Sequence, residues 1–221
     1  MPKYYTHPHK QVEFLRNSLN LSSQSSGVDL GCNEGFHLAE LQKISSSVYG
    51  VDTVMYPNLN NVFQLDFFTE QIPLENLDFA FIFAPYFEDR WWELETFLQN
   101  VARSLKSGGD FVLDLFDFNF MKPGEVRYTY TLHEDKVVLS TFTRKTDRVN
   151  LDRVVIPFEG ERTYVQSVWR VFEFNELSVL LGKAGMYIYK QYGDFDVTKE
   201  LSWTAAQEEK PKRLVIQCKK T

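Results

Sequence analysis

The sequence predicts an α/β chain: a doubly wound, largely parallel sheet with an antiparallel β insert after the fifth strand. Three observations predict it. Strand-like and helix-like stretches alternate over the first 118 residues. The alternation opens with a strand, a glycine-bearing loop and a helix, "VDLGCNEGFHLAEL" at 28 to 41. After residue 120 the hydrophobic period changes to two, and it returns to helix and strand near 175.

Each element follows from its own pattern. In "HKQVEFLRNSL", Val12, Leu15 and Leu19 recur at helical spacing, with Arg16 and Asn17 on the polar side. "LSSQSSG" at 21 to 27 reads as a connector into a short strand ending in "VDL". Beyond the loop, Phe36, Leu38, Leu41 and Ile44 fit a helix packed on a sheet. "SVYGVD" at 47 to 52 and "NVFQLDFF" at 61 to 68 read as the second and third strands, ending in Asp52 and Asp66. The stretch between them holds Pro57 and several Asn, so the crossover helix expected there is very short or absent. "LDFAFIFAPYF" at 77 to 87 is apolar enough for a central strand buried on both faces.

In "WWELETFLQNVARSL", Trp91, Leu94, Leu98, Val101 and Leu105 recur three and four apart, which predicts a helix. "KSGGD" should stop it, with a glycine as the left-handed C-cap. "FVLDLFDF" at 111 to 118 is the fifth strand. Val126, Tyr128, Tyr130 and Leu132 then alternate, and "KVVLSTFTRK", "RVNLDRVVIPF" and "RTYVQSVWRVF" follow, giving three or four antiparallel strands. "NELSVLLGKAG" returns to helix and ends at Gly185; "MYIYKQYGDF" and "RLVIQCKK" close the chain as two strands.

Composition narrows the function. A chain of 221 residues suits one domain with an elaboration. Aromatic residues reach 15%, enough to line a pocket as well as fill a core. A net charge of −6 repels phosphate backbones, which argues against a nucleic-acid partner. Two cysteines, Cys32 and Cys218, read as reduced thiols. No signal-like run and no apolar stretch of spanning length is present, so the expected setting is cytoplasmic, with no membrane partner. His7, His9, His37 and His133 are too scattered for a metal set, so no metal is expected, and His37 should face solvent from its helix.

The loop selects its ligand by charge. It lacks the Gly-Lys-Ser/Thr ending of a P-loop. A dinucleotide loop needs G-x-G-x-x-G, whereas this one spaces Gly31 and Gly35 as G-x-x-x-G behind Asp29. A carboxylate there would repel phosphates but would attract a cation. S-adenosylmethionine carries an α-ammonium and a sulfonium and no phosphate. Asn33 suits the loop because Asn visits left-handed dihedrals readily. Asp52, at the end of the second strand, is placed to accept both ribose hydroxyls, and Asp66 can accept from an adenine amino group. A strand-end acid that faces a ligand should contribute little to the core.

"VDLGCNEG", "VYGVD", "QLDFF", "LDFAFIFAP" and "LKSGGDFVLDLFD" resemble the ordered motifs of class I S-adenosylmethionine-dependent methyltransferases. "RVFEFNELSVLLGKAGMYIYKQYGDFD" is similar to the closing segment of the small-molecule branch of that family. The resemblance covers about 27 to 118 and 170 to 220. It implies a Rossmann-like core, 1–120 with 171–221, ending in a reversed hairpin. It also implies that the insert, 121–170, covers the acceptor site within a single domain, 1–221. Asp29, Gly31, Asn33 and Gly35 would surround the methionine end, Asp52 and Thr53 the ribose, Asp66 and Phe67 the adenine, and Ala84 the floor beside the sulfonium. Asn33 stands where the family's middle glycine usually is. The implied activity is methyl transfer from S-adenosylmethionine to the N or O of a small molecule, by a monomer or homodimer. Residues of the N-terminal segment and the insert, Tyr5, Tyr128, His133 and Arg170, are the acceptor-side candidates. The alternative is the same fold kept as a non-catalytic binding module. A nucleic-acid methyltransferase is disfavoured by the charge and by the lack of an Asn or Asp before the Pro of "APYF".

Overall fold

The structure, a computed structural model, describes residues 8–83, 90–116, 118, 121–202 and 213–221. Seven strands form one sheet: β1 (Gly27–Leu30), β2 (Val48–Asp52), β3 (Val62–Gln64), β4 (Leu77–Ile82), β5 (Leu105–Phe116), β10 (Met186–Gly193) and β11 (Arg213–Lys220). Their order is β10-β11-β5-β4-β1-β2-β3. β1 pairs in parallel with β2 and β4, β2 with β3, and β4 with β5. β11 runs antiparallel to both β5 and β10, which is the reversed hairpin.

Among the described residues four helices cover the two faces. α3 (Leu94–Ser104), entered through a short 3-10 turn (Trp91–Glu93), and α4 (Phe174–Lys183) bury Phe97, Leu98, Val101, Leu177 and Leu181 on one face. α1 (Pro8–Leu19) and α2 (Phe36–Gln42) bury Val12, Phe14, Leu15, Leu38 and Leu41 on the other. β4 sends Ala80 and Ile82 to the first layer and Phe79 and Phe81 to the second, so it is buried on both faces as its apolar run predicts. α1 ends where Asn20 turns left-handed (φ 52°) and the Leu21 N–H returns to the Arg16 carbonyl at 3.1 Å.

Two boundaries differ from the sequence reading. β3 stops at Gln64, so Asp66 lies in the turn beyond it. "KSGGD" is not the helix cap: α3 ends at Ser104 and Leu105 is already extended (ψ 148°), pairing with Leu77. Gly108 does take φ +74°, but inside β5, where the register with β4 shifts. Strand pairing and the burial of Leu105 outweigh the local tendency of glycine to close the helix. Residues 53–61 form turns without a helix, as the truncated crossover predicts.

The insert is a second, four-stranded antiparallel sheet in simple order: β6 (Val126–Leu132), β7 (Lys136–Arg144), β8 (Arg148–Pro157) and β9 (Thr163–Arg170). One of its faces places Val149, Leu151 and Trp169 against Phe118, Met121 and Val171. Trp169 also stacks on Phe116 of β5, centroids 4.6 Å apart, and the Arg213 guanidinium lies 4.0 Å over the same Phe116 ring. Arg213 is in turn ion-paired to the fully buried Asp114. This column of rings and charge joins the insert to β5 and β11.

Candidate functional site

The chain runs outward from β1 to β2 and β3, then returns to β4 on the other side of β1. That reversal makes the carboxyl ends of β1 and β4 the topological switch point, where open α/β sheets bind ligands. The glycine loop sits there.

Three left-handed residues shape the loop: Gly31 (φ 74°), Asn33 (φ 47°) and Gly35 (φ 74°). Asn33 thus takes the conformation expected of it, and its Nδ2 donates to the Gly31 carbonyl at 2.7 Å. Gly35 is needed for space as well as for its angle, since a Cβ there would lie 2.8 Å from Leu59 Cδ1. At Gly31 a Cβ would meet only the edge of the Phe67 ring, at 3.8 Å. The Gly31 and Cys32 N–H groups both donate to the Val51 carbonyl, at 2.8 and 3.2 Å, which fixes the loop onto β2. Cys32 packs against Gly50, and burial, with Asp29 and Asp52 nearby, pushes its thiol up to about 12. It is a packing residue, not a nucleophile.

Asp29 is 2% exposed, and its Oδ2 has no hydrogen-bond partner. Burial, and secondarily the Asp52 charge, push its carboxyl up to about 8. A buried acid with an unmatched oxygen at the loop's mouth fits a cationic ligand group, which would satisfy it and favour its ionised form.

Asp52 is 7% exposed, and its two oxygens accept from the loops on either side. Oδ2 accepts the Asn33 N–H at 2.9 Å and Oδ1 the Val54 N–H at 3.0 Å. Beyond the ligand contact expected of a strand-end acid, Asp52 ties the loop after β1 to the loop after β2. Thr53 follows it, exposed, with its carbonyl accepting from Gln64 Nε2 at 3.2 Å.

Asp66 is gripped by Arg90, Nη1 to Oδ1 at 2.8 Å and Nη2 to Oδ2 at 2.7 Å. It also accepts the Phe68 N–H at 3.2 Å and the Thr69 hydroxyl at 3.1 Å. Arg90, foremost, holds its carboxyl below the usual range. Phe67 is buried, stacked on Phe68 with centroids 5.1 Å apart and facing Phe97 of α3. Asn100 of α3 donates to the Glu70 carbonyl at 2.9 Å and holds the same turn. Sequence reasoning passed over Arg90 and Asn100. The signal for Asn100 was a polar residue on the apolar face of its helix.

His37 does not face solvent, as expected of it. Its Nε2 is 2.7 Å from Gln11 Oε1, and its ring meets Phe81 and Phe83 edge-on. Burial pushes it down to about 4, so it is neutral and donates to Gln11.

Among the described residues the acceptor-side candidates Tyr128, His133 and Arg170 are not brought together. His133 lies at the β6–β7 turn, at the Lys136 and Pro157 end of the sheet, and Arg170 pairs with Arg148 at the other end. Nine residue steps of β8, Arg148 to Pro157, separate those ends, roughly 30 Å at strand rise. Arg170 is engaged by Asp147 (2.6 Å) and Glu176 (2.5 Å), linking the insert to α4. Tyr128 is exposed on the face of the insert opposite Trp169. Tyr5 and Ala84 lie outside the described residues. Among the described residues no group of three or more His, Cys, Asp or Glu is arranged to hold a metal ion. No described helix is long and apolar enough to cross a membrane.

Residues 28–113 match the family model of the methyltransferase domain, a span from β1 into β5. No curated protein is similar to the chain in sequence. Among solved structures, an S-adenosylmethionine-dependent methyltransferase from Clostridium acetobutylicum superposes with a TM-score of 0.78 at 14% identity, over 97% of this chain and 92% of its own. An S-adenosylmethionine-bound amino pentose methyltransferase from Micromonospora echinaspora, involved in calicheamicin biosynthesis, gives 0.72 at 16% identity, over 98% and 92%. A sugar N-methyltransferase from Streptoalloteichus gives 0.65 at 17% identity, over 96% and 87%. The chain therefore has the fold of the S-adenosylmethionine-dependent methyltransferases it superposes on.

Proposed function

We propose that this chain transfers the methyl group of S-adenosylmethionine to a nitrogen or oxygen of a small-molecule acceptor. The observation that carries the reading is Asp29: a buried carboxylate with an unmatched oxygen, at the mouth of a left-handed glycine loop, at the sheet's switch point. S-adenosylmethionine, when bound, supplies a methyl group already activated on its sulfonium. The chain's own part is to bind and align. Asp29 attracts the α-ammonium, directly or through a water. Asp52 offers the lone pairs not taken by its two amide donors to the ribose hydroxyls. Phe67 and the turn at Asp66 face the base.

The antiparallel insert covers the acceptor. The acidic surface favours a cationic or neutral acceptor over a phosphorylated one. Amine acceptors such as aminosugars come first, in keeping with the acceptors named for the structural neighbours. Alignment supplies most of the catalysis, because the nucleophile needs only in-line approach and a route for its proton. Of the acceptor-side candidates Tyr5, Tyr128, His133 and Arg170, Tyr5 is the one to test first.

A second reading, binding without transfer, draws on the internal partners of Asp52 and Asp66. Calorimetry with S-adenosylhomocysteine, followed by a methyl-transfer screen over amines and alcohols, separates the two. No binding at millimolar ligand overturns both readings; binding with no transfer to any acceptor favours the second.

A further inference from the structure

We propose that Arg90 withdraws Asp66 from recognition of the cofactor's base, so that the 6-amino group of adenine does not select the ligand. The inference deepens the methyl-transfer reading and rests on its placement of the base at the turn after β3. That turn borders the glycine loop: a Cβ on Gly31 would stand 3.8 Å from the edge of the Phe67 ring. The argument is a count of lone pairs. An ionised carboxylate has two oxygens and about four acceptor sites. Asp66 already receives four donors from its own chain. Oδ1 accepts Arg90 Nη1 at 2.8 Å and the Phe68 N–H at 3.2 Å. Oδ2 accepts Arg90 Nη2 at 2.7 Å and the Thr69 hydroxyl at 3.1 Å. No acceptor site is left for an amino group.

Arg90 is itself held in place. All three of its guanidinium nitrogens are engaged, Nε by Glu93 and the other two by Asp66. Its plane lies 4.6 Å over the Phe68 ring. To reach Asp66, a neutral amino group would have to displace one arm of a bidentate, charge-assisted pair, and a neutral donor makes the weaker bond. Asp52 is the contrast within the same site. Among the described residues each of its oxygens accepts a single backbone N–H, which leaves a lone pair on each for a ribose hydroxyl. The two acids therefore differ in kind. Asp52 stays open to a ligand, while Asp66 is closed upon the fold. Arg90 acts through Asp66 and is a positioning residue.

The test compares two ligands on the full chain by calorimetry at neutral pH. One is S-adenosylhomocysteine. The other is its purine-riboside analogue, in which hydrogen replaces the 6-amino group and the ring nitrogens are kept. The parent should bind the two within about threefold of each other. Arg90→Ala frees Asp66 to accept the amino group, as does Arg90→Met, which keeps an apolar stem over Phe68. Each variant should then favour S-adenosylhomocysteine by about tenfold or more, the worth of one hydrogen bond to a charged group. A merely structural role for Arg90 would weaken both ligands alike, so a ratio unchanged in both variants overturns the proposal. A parent that already shows the tenfold preference overturns it too. A parent that binds neither ligand overturns the methyl-transfer reading, and the proposal with it.

Discussion

Arg90 holds Asp66 through both carboxylate oxygens, across 24 residues of sequence, and lies with its guanidinium 4.6 Å over the Phe68 ring. Its Nε is taken by Glu93 at the start of α3. One side chain therefore ties the turn beyond β3 to the helix that follows β4.

Removing that side chain tests the tie. Arg90→Ala should destabilise the protein modestly, by about 1 kcal/mol, because the pair is part-exposed and screened. The sign of its pH dependence is fixed by Asp66, whose folded carboxyl is depressed. A depressed acid stabilises above its unfolded pKa, near 4, and the gain is lost as pH falls through the folded value. The difference between parent and Arg90→Ala should be full at pH 6 and vanish on acidification below about 4. Thermal melts across that range check it; a gap that persists at low pH refutes the assignment.

Asp29 behaves in the opposite sense. Its folded carboxyl is raised to about 8, above the unfolded value. Between about 4 and that value the folded state holds a proton the unfolded state lacks, so stability from this group falls as pH rises. Asp29→Asn should flatten the fall and raise the melting temperature at pH 8. It should also weaken S-adenosylhomocysteine binding, since an amide cannot neutralise an ammonium. In the parent, affinity should rise toward pH 8 by at most about tenfold per unit as Asp29 ionises. Calorimetry at three pH values measures it; affinity independent of pH and of Asp29→Asn would exclude the acid from the site.

Asp52→Ala should show two losses at once. It removes acceptors for two backbone N–H groups, worth about 1–3 kcal/mol of stability together. It also removes the ribose acceptor, so S-adenosylhomocysteine affinity should fall on the order of 100-fold. Asp52→Asn should be milder in both, because its amide oxygen still accepts. NAD should bind neither form. Unchanged affinity in Asp52→Ala would show that the ribose lies elsewhere.

Gly35→Ala isolates the loop. The left-handed angle alone costs about 1–2 kcal/mol for a residue with a Cβ, and the new methyl would strike Leu59. Adding Leu59→Ala should return the steric part of the loss and leave the backbone part. Denaturant midpoints of the two singles and the double provide the cycle. Full recovery in the double would mean that the angle imposes no strain.

Much of the candidate site was legible because its signals are local. Gly31, Asn33 and Gly35 announce left-handed turns by residue type, and Asp29 and Asp52 are recognisable as acids at the ends of short apolar runs. Other features depend on distant contacts. "KSGGD" reads as a helix stop, yet Leu105 leaves the helix early to pair with Leu77. His37 reads as a surface residue of a short helix, yet Gln11 and two phenylalanines enclose it.

The sequence by itself determined the order of elements, the parallel core with its switch to an antiparallel insert, and the acids that mark the strand ends. Periodicity and turn chemistry act over a few residues, so the chain displays them directly. Only the tertiary structure decided how those acids are held: Asp29 with an unmatched oxygen, Asp52 bridging two loops, and Asp66 under Arg90. It also decided that Tyr128 stands on the outer face of the insert and that His133 and Arg170 lie at opposite ends. The physical reason is common to all of these. Burial, charge pairing and the side of a sheet that meets the core are set by which distant segments pack together, and strand alternation gives two faces without saying which one is covered.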